Sequence, residues 1–253
     1  MVLSGAVLLA GLWLAPRLSP RLILPASVLW YLALALLVSA GVRIVRSWTG
    51  PRIAWALALL LLLLPVGLCA IRPGPALAVR LPCPRNYAWL PAWLPRSSPL
   101  ATLEFGLGEA RVKLCYGRPA ARGRRMLGGS RVPYGRLWRT GANEPTTLIT
   151  TDSLEIAGIR VPPGRVSLYT IPGPESWELI VNAATGQWGI ESEYSEAVRA
   201  RELGRSILPS DSGSLIERMR FSVEKLPEDS VSVSLVLAWE TTRLRIPLRR
   251  VSR

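Results

Sequence analysis

Hydrophobic and polar positions divide the chain into two parts with different patterns. In the first part, residues 22–42 and 53–71 are apolar runs of about 20 residues without a charged side chain. A helix of this length crosses the roughly 30 Å hydrocarbon core of a bilayer. Residues 2–15 form a shorter apolar run, which is either a short third span or a helix lying against the other two. The pattern predicts two or three transmembrane helices within residues 1–72.

The second part begins near residue 100, where apolar and polar residues alternate and turn-forming residues recur at short intervals. A period of two is typical of strands that bury one face. In residues 230–240, for example, Val233, Leu235 and Leu237 share a face. The predicted strands are residues 101–105, 110–116, 146–152, 158–162, 165–171, 176–182, 218–226, 230–240 and 243–249. Residues 100–253 are therefore expected to form an antiparallel β-sandwich or barrel.

Two segments fit neither pattern. Residues 73–99 are rich in proline and contain Trp89 and Trp93, which is typical of an extended, stiff connector along the membrane interface. Residues 195–205 carry charges on all sides and predict one or two helical turns in a solvated surface insert. The predicted organisation is thus a membrane part, a connector and a β domain.

The net charge of +14 could indicate nucleic acid binding, because arginine and lysine supply most non-specific affinity for phosphates. Nine arginines lie in residues 1–103, which contain no acid, whereas all seventeen acids lie from Glu104 onward. The first group stands at the ends of apolar runs, and the second is interleaved with acids. We therefore expect membrane lipid and integral membrane proteins as partners, and no nucleic acid.

The predicted spans contain no acid and no amide. A transport path normally depends on ionisable groups within the membrane, so an anchor or a surface for other membrane helices is the better interpretation. Arginines near the ends of the spans, five against three, favour a cytoplasmic position for the C-terminal domain.

The sequence lacks residues that common catalytic and metal sites need. It contains no histidine, which excludes Ser-His-Asp triads and histidine-ligated zinc. The cysteines have no CxxC spacing, and Cys83 and Cys115 are either a disulfide pair or two free thiols. The acids Glu191, Glu193 and Glu196 are interpreted as a calcium site or, more simply, as a solvated loop. We predict no catalytic residue, no metal site and no cofactor.

Four stretches of the second part resemble a known family. They are YGRPAARGR (116–124), GGSRVPYGRLWRTGANEPTT (128–147), GRVSLYTIP (164–172) and QWG (187–189). In register over about residues 98–248, they resemble the family called domain of unknown function 2911 (DUF2911). The resemblance implies a bacterial protein with an extracytoplasmic, periplasmic domain on the inner membrane, against the arginine count. It implies no activity and no catalytic residues.

The stretch VPYGRLWRTGANEPTTL (132–148) gathers a Trp, two Arg, an Asn and a Glu in a short span. In one hypothesis it cups a small anionic ligand, since guanidinium forks suit carboxylate or phosphate. The ligand-binding candidates are Tyr116, Arg118, Arg124, Tyr134, Arg139, Asn143 and Glu144. In the other, structural hypothesis, which we favour, Arg139 pairs with Glu144 and Asn143 caps a turn. Trp138 and Tyr134 then close the end of the sandwich.

Two functions are compatible with these features. The first is a membrane-anchored accessory or structural subunit, which packs its helices and an extracytoplasmic β-sandwich onto a larger membrane protein complex. The alternative is a membrane-tethered binding domain or hydrolase for a small anionic or glycan ligand, using the Arg, Asn and Glu cluster of residues 116–144. An anchor without functional polar groups and a basic domain without a catalytic constellation favour the first function over an enzyme.

Overall fold

The computed structural model of the protein describes residues 74–84, 96–225 and 231–251. The predicted membrane segments, residues 2–15, 22–42 and 53–71, lie outside these ranges. Within the described ranges, we find no helix with the length and hydrophobicity that crossing a bilayer requires.

The described residues fold mainly as strands, and every strand pairing among them is antiparallel. The strands are β1 (Leu100–Leu107), β2 (Ala110–Gly117), β3 (Thr146–Thr150), β4 (Leu154–Ile156), β5 (Ile159–Val161), β6 (Gly164–Ile171), β7 (Ser176–Asn182), β8 (Glu202–Lys225) and β9 (Ser232–Arg250). The helical elements are α1 (Pro75–Ala78), a 3₁₀ turn (Glu191–Glu193) and α2 (Glu196–Arg199). Hydrogen bonds join the strands into one sheet of order β1-β2-β3-β6-β7-β8-β9-β4-β5.

The sheet folds over at β8, which is long enough to pair with two different strands. Residues 202–209 of β8 pair with β7, and residues 210–225 pair with β9. Side chains from both ends of the sheet meet in one apolar core, which contains Leu114 of β2, Leu168 of β6 and Ile246 of β9. The predicted antiparallel β-sandwich is confirmed for the described part of residues 100–253.

Residues 74–84 cover the outer face of β2 and β3, and we call this segment the strap. A disulfide joins Cys83 of the strap to Cys115 of β2. The Lys113 ammonium donates hydrogen bonds to two carbonyl oxygens of the strap, at 3.2 and 2.9 Å. This cover explains why all five residues of β3 are buried. The strap was expected to be extended as part of the connector, but the disulfide and Lys113 hold it packed on the domain.

The alternating pattern predicts a boundary between two strands where the structure has the single strand β9. Residues 230–240 and 243–249, predicted as two strands, fall largely within the single strand β9. Trp239 and Leu244 are both buried, although strict alternation over five residues would place them on opposite faces. Glu240 between them has a positive φ of 49°, which shifts the alternation by one position. Its carboxylate accepts two backbone N–H groups from the connection between β2 and β3.

The first half of β8 is the main element that the pattern misses. Residues 202–217 show little alternation, and Ile207 and Leu215 are exposed. β7 and β9 supply the hydrogen-bonding partners of this segment, and its covered face is mostly half-buried, with Leu208 reaching the core. The helical turns predicted at residues 195–205 are confirmed only for α2, since β8 begins at Glu202. The pattern also omits β4, whose three residues are too few to show a period.

Candidate functional site

The connection between β2 and β3, residues 118–145, contains most of the predicted site, and we call it the arginine loop. It carries a single acid, Glu144. Its arginines are Arg118, Arg122, Arg124, Arg125, Arg131, Arg136 and Arg139. Both carboxylate oxygens of Glu144 accept hydrogen bonds from Nη1 of Arg96, at 2.8 and 2.9 Å. The loop is therefore strongly basic, and its own acid is already neutralised.

Trp138 fixes the arginine loop to the core of the sandwich. Its ring stacks on Trp239 of β9 with centroids 5.8 Å apart, and it meets Trp177 of β7 edge-on at 5.9 Å. Its indole Nε1 donates to the carbonyl oxygen of Gly141 at 3.0 Å. Its backbone exchanges two hydrogen bonds with Thr170 of β6. A loop tied in this way to three strands presents its arginines from a fixed base.

Two glycines let other segments pass closely against the arginine loop. A Cβ on Gly117 would lie 1.9 Å from the carbonyl oxygen of Ala142. A Cβ on Gly189 would lie 2.6 Å from Cδ of Arg139 and 2.7 Å from the carbonyl oxygen of Asn143. These contacts bring together the YGRP, TGANE and QWG stretches, which lie apart in the sequence. Only glycine, which has no Cβ, fits at either position.

The predicted ion pair between Arg139 and Glu144 is wrong, because Glu144 forms an ion pair with Arg96 instead. Nη1 of Arg139 donates to the carbonyl oxygen of Asn143 at 3.0 Å. The predicted turn cap is also wrong, since Nδ2 of Asn143 donates to the carbonyl oxygen of Ser98, 45 residues away, at 3.1 Å. Among the described residues, Arg139 therefore has no carboxylate within ion-pair distance.

Two further predicted ligand residues have structural roles, and a third is exposed. Tyr116 is a core residue: its ring meets Phe221 edge-on at 4.8 Å, and its hydroxyl accepts the backbone N–H of Phe221 at 3.2 Å. Nε of Arg118 donates to the carbonyl oxygen of Met219 at 3.1 Å. Trp138 is buried in the sandwich as predicted, whereas Tyr134 is exposed and does not close its end.

The arginine loop and residues 97–98 enclose a cleft of about 360 Å³ beside Trp138, and we call it the basic cleft. Its charged lining residues are Arg122, Arg124, Arg131 and Arg139. Asn143 and two serines add neutral polar groups. No described carboxylate lines this cleft or lies within ion-pair distance of its guanidinium groups. The predicted residues Arg124, Arg139 and Asn143 thus converge on one open space.

A second cleft, of about 520 Å³, adjoins the basic cleft, and we call it the mixed cleft. Arg131, Trp138 and Arg139 line both clefts and form their shared wall. The mixed cleft adds Arg136 from the arginine loop and Glu191 from the 3₁₀ turn. Its lining therefore combines cations with an acid, whereas the charged groups of the basic cleft are all cationic.

Burial perturbs one arginine of the shared wall. Desolvation lowers the pKa of the Arg139 guanidinium from its usual value, and electrostatic interactions with Tyr169 and Glu191 oppose this shift. The group stays protonated at neutral pH because the ordinary pKa of arginine is so high. A charge that has lost part of its water interacts more strongly with a counter-charge. An anion in either cleft would therefore interact strongly with Arg139.

The model of the DUF2911 family, described as a protein of unknown function, matches residues 98–248. The chain belongs to this family. Apart from Ser97, the residues that line the two clefts lie within the DUF2911 region. No curated protein and no solved structure gives a significant match.

Several residues at the DUF2911 clefts are not among the predicted ligand residues. They are Arg122, Arg131, Arg136 and Glu191. The density of arginine over residues 118–145 was the signal that could have found the first three, whereas nothing in the sequence connects Glu191 to them. In the part of the chain that the structure describes, no three His, Cys, Asp or Glu side chains are grouped to hold a metal ion.

Proposed function

We propose that the DUF2911 domain of this protein binds a small anionic ligand in the basic cleft. The observation that carries the proposal is four guanidinium groups around one open space, with no described carboxylate to neutralise them. Like charges held close together raise the electrostatic free energy, and a bound anion lowers it again. Phosphate and carboxylate are the favoured groups, because a guanidinium fork donates two parallel hydrogen bonds to either.

The lining supports binding rather than catalysis. Arginine stays protonated in proteins and offers no base, while Asn143 and the serine hydroxyls orient a ligand through hydrogen bonds. Nε of Arg124 and Nη1 of Arg139 are already held by backbone carbonyl oxygens of the loop. Side chains oriented before the ligand arrives lose less entropy on binding.

Isothermal titration calorimetry of the full chain in detergent, with inorganic phosphate as the probe, tests this proposal. Arg124→Gln and Arg131→Gln each remove one charge from the basic cleft. Each should weaken phosphate binding about tenfold, which corresponds to about 1.4 kcal/mol and to one charged hydrogen bond. Arg160→Gln is the matched control, because Arg160 is exposed on β5 and lines neither cleft.

Two results would overturn the proposal. One is the absence of phosphate binding to the wild-type chain at low salt, where screening of charges is weakest. The other is an equal loss of affinity in Arg160→Gln and in the two cleft variants. Affinity would then follow net charge and not the arrangement of arginines in the cleft.

We further propose that the domain faces an oxidising, extracytoplasmic compartment. The disulfide between Cys83 and Cys115 supports this location, because disulfides persist mainly outside the reducing cytosol. A Cys69→Ala chain, acid-quenched in cells and treated with a large maleimide, tests it. No cysteine should react before reduction, and two should react afterwards. Reaction of both without a reductant would contradict the location.

For the membrane part, the accessory role stays our proposal. The predicted spans carry no acidic, basic or amide side chain, so they suit packing against partner helices in lipid rather than transport. Purification of the full chain from native membranes in a mild detergent tests the role. Other integral membrane proteins should co-purify, and migration as an isolated chain would count against it.

A further inference from the structure

The mixed cleft is less favourable for an anionic group than the basic cleft, because its lining includes an acid. Glu191 lines it together with the arginines of the shared wall, and a carboxylate repels a phosphate or carboxylate that comes close. We infer that the ligand is an anionic saccharide, whose charged group lies in the basic cleft and whose hydroxyl-bearing ring lies in the mixed cleft. This inference rests on the proposed anion binding and adds the chemical class of the ligand.

The mixed cleft matches the hydrogen-bonding properties of sugar hydroxyls. A hydroxyl both donates and accepts, so a sugar site needs acceptors as well as donors. The Glu191 carboxylate accepts, and the Arg136 guanidinium donates. Ser130 and Ser192, which also line the cleft, can do either. In the described part of the chain, the side chains of Arg136 and Glu191 form no ion pair with each other or with another residue.

The shared wall allows one molecule to occupy both clefts. Arg139 lines both, so an anionic group that contacts it from the basic cleft lies at the boundary of the mixed cleft. The clefts measure about 360 and 520 Å³, and sites for small organic ligands range over about 300–1,000 Å³. Together they have room for a sugar and its charged substituent.

Calorimetry of the full chain with matched pairs of probes tests the inference. Glucose 6-phosphate is compared with inorganic phosphate, and glucuronate with acetate, so that each pair differs by the sugar. In the tighter-binding pair, the sugar should strengthen binding about tenfold, the contribution of one charged hydrogen bond. Neutral glucose should show no measurable binding, because the anionic group supplies most of the affinity.

Two variants of the 3₁₀ turn assign the added affinity to the mixed cleft. Glu191→Ala should abolish the tenfold gain from the sugar without weakening the binding of the free anion. Glu193→Ala is the matched control, because it removes the same charge from the same turn but lines neither cleft.

The outcomes separate the inference from the proposed function. Equal affinity for sugar and free anion in both pairs, or an equal loss of the sugar gain in both variants, would overturn the inference and leave anion binding standing. Failure of the wild-type chain to bind any anionic probe would overturn the proposed function itself.

Discussion

The hairpin of β8 and β9 and the arginine loop are both rich in arginine, but they differ in how many of these arginines form ion pairs with carboxylates. Four of the seven arginines in β8 and β9 each pair with at least one carboxylate, namely Arg205, Arg245, Arg249 and Arg250. The guanidinium groups of the five arginines that line the two clefts form no ion pair with a described carboxylate. One side-chain type therefore stabilises the surface of the sheet in one region and is left open to a ligand in the other.

Strand pairing contributes to the difference between the two regions, and one of the hairpin ion pairs joins directly opposite residues. Glu155 of β4 and Arg249 of β9 lie directly opposite each other, and their side chains form an ion pair. Directly opposite residues of an antiparallel pair are always close, so acids on one strand readily neutralise arginines on the next. The arginine loop is mostly irregular and has no such neighbour. Its only acid, Glu144, is neutralised by Arg96 from another segment, so the positive charge of the loop remains.

The largest expected effect comes from removing the anchor of the arginine loop. Trp138→Ala deletes a buried ring that contacts Trp177 and Trp239, so the free energy of unfolding should fall by about 3–5 kcal/mol. Phosphate binding should be lost as well, because the arginines lose their fixed base. Tyr134→Ala, which removes an exposed ring of the same loop, should cost less than about 0.5 kcal/mol. Urea denaturation and calorimetry measure the two effects.

If folded Trp138→Ala protein still binds phosphate at the wild-type affinity, the claim that Trp138 positions the arginines of the loop is contradicted. The loop would then position its arginines without the core, and its difference from the hairpin would not depend on how it is anchored.

Removing the charge of one carboxylate from a buried ion pair should cost more stability than doing so in an exposed ion pair. The side chains of Glu144 and Arg96 are 5% and 12% exposed, whereas those of Asp211 and Arg245 are 58% and 46% exposed. Glu144→Gln leaves a buried guanidinium without its counter-charge and should lower the free energy of unfolding by about 3 kcal/mol. Asp211→Asn should cost less than about 1 kcal/mol. If urea denaturation shows that both variants lose a similar free energy of unfolding, burial does not make the Glu144 ion pair more important for stability than the Asp211 ion pair.

Gly189→Ala should displace Arg139 at a smaller cost to the fold. The new Cβ would meet the Arg139 side chain and the carbonyl oxygen of Asn143, and such overpacking costs about 1–3 kcal/mol. Phosphate binding should weaken about tenfold. Gly186→Ala is the control, because a Cβ there meets open space. Unchanged phosphate affinity in Gly189→Ala would show that Arg139 does not contribute to phosphate binding.

The smallest effect should come from titrating the hairpin with acid. Hydrogen bonds from Arg205 lower the pKa of the Glu202 carboxyl below its ordinary value of 4.5. Since the folded pKa is the lower one, this stabilisation is complete above the ordinary pKa and is lost as the pH falls through the folded value. Its size is about 1 kcal/mol or less, as for other partly exposed pairs.

Glu202→Gln should remove this part of the pH dependence and leave phosphate binding at neutral pH unchanged. Urea denaturation at several pH values, from neutral to about pH 3, measures it. An unaltered dependence in the variant would mean that the hairpin pairs contribute nothing that acid can remove.

Local patterns predict most of the strands because alternation within one segment is enough to bury one of its faces. β2, β6 and β7 lie where the alternation places them, within a residue or two. The same reasoning fails for the first half of β8, whose covered face is mostly half-buried and carries few apolar residues. It also divides β9, because the positive φ of Glu240 changes the phase of the alternation.

The candidate site is only partly predictable for a related reason. Arg124, Arg139 and Asn143 were predicted and do line the basic cleft. Tyr116 is instead part of the core, and Glu144 pairs with a residue 48 positions earlier in the chain. Composition shows which groups a loop carries, but it does not show which segment will neutralise them.

By itself, the sequence determined the inward faces of the regular strands, the basic character of the arginine loop and the resemblance to DUF2911. Only the tertiary structure decided that Cys83 bonds to Cys115, that Arg96 occupies Glu144, and that five arginines of the loop line two adjoining clefts. The physical reason is distance along the chain. Alternation and charge density arise among neighbours in sequence, whereas ion pairs, disulfides and clefts arise between segments that only folding brings together.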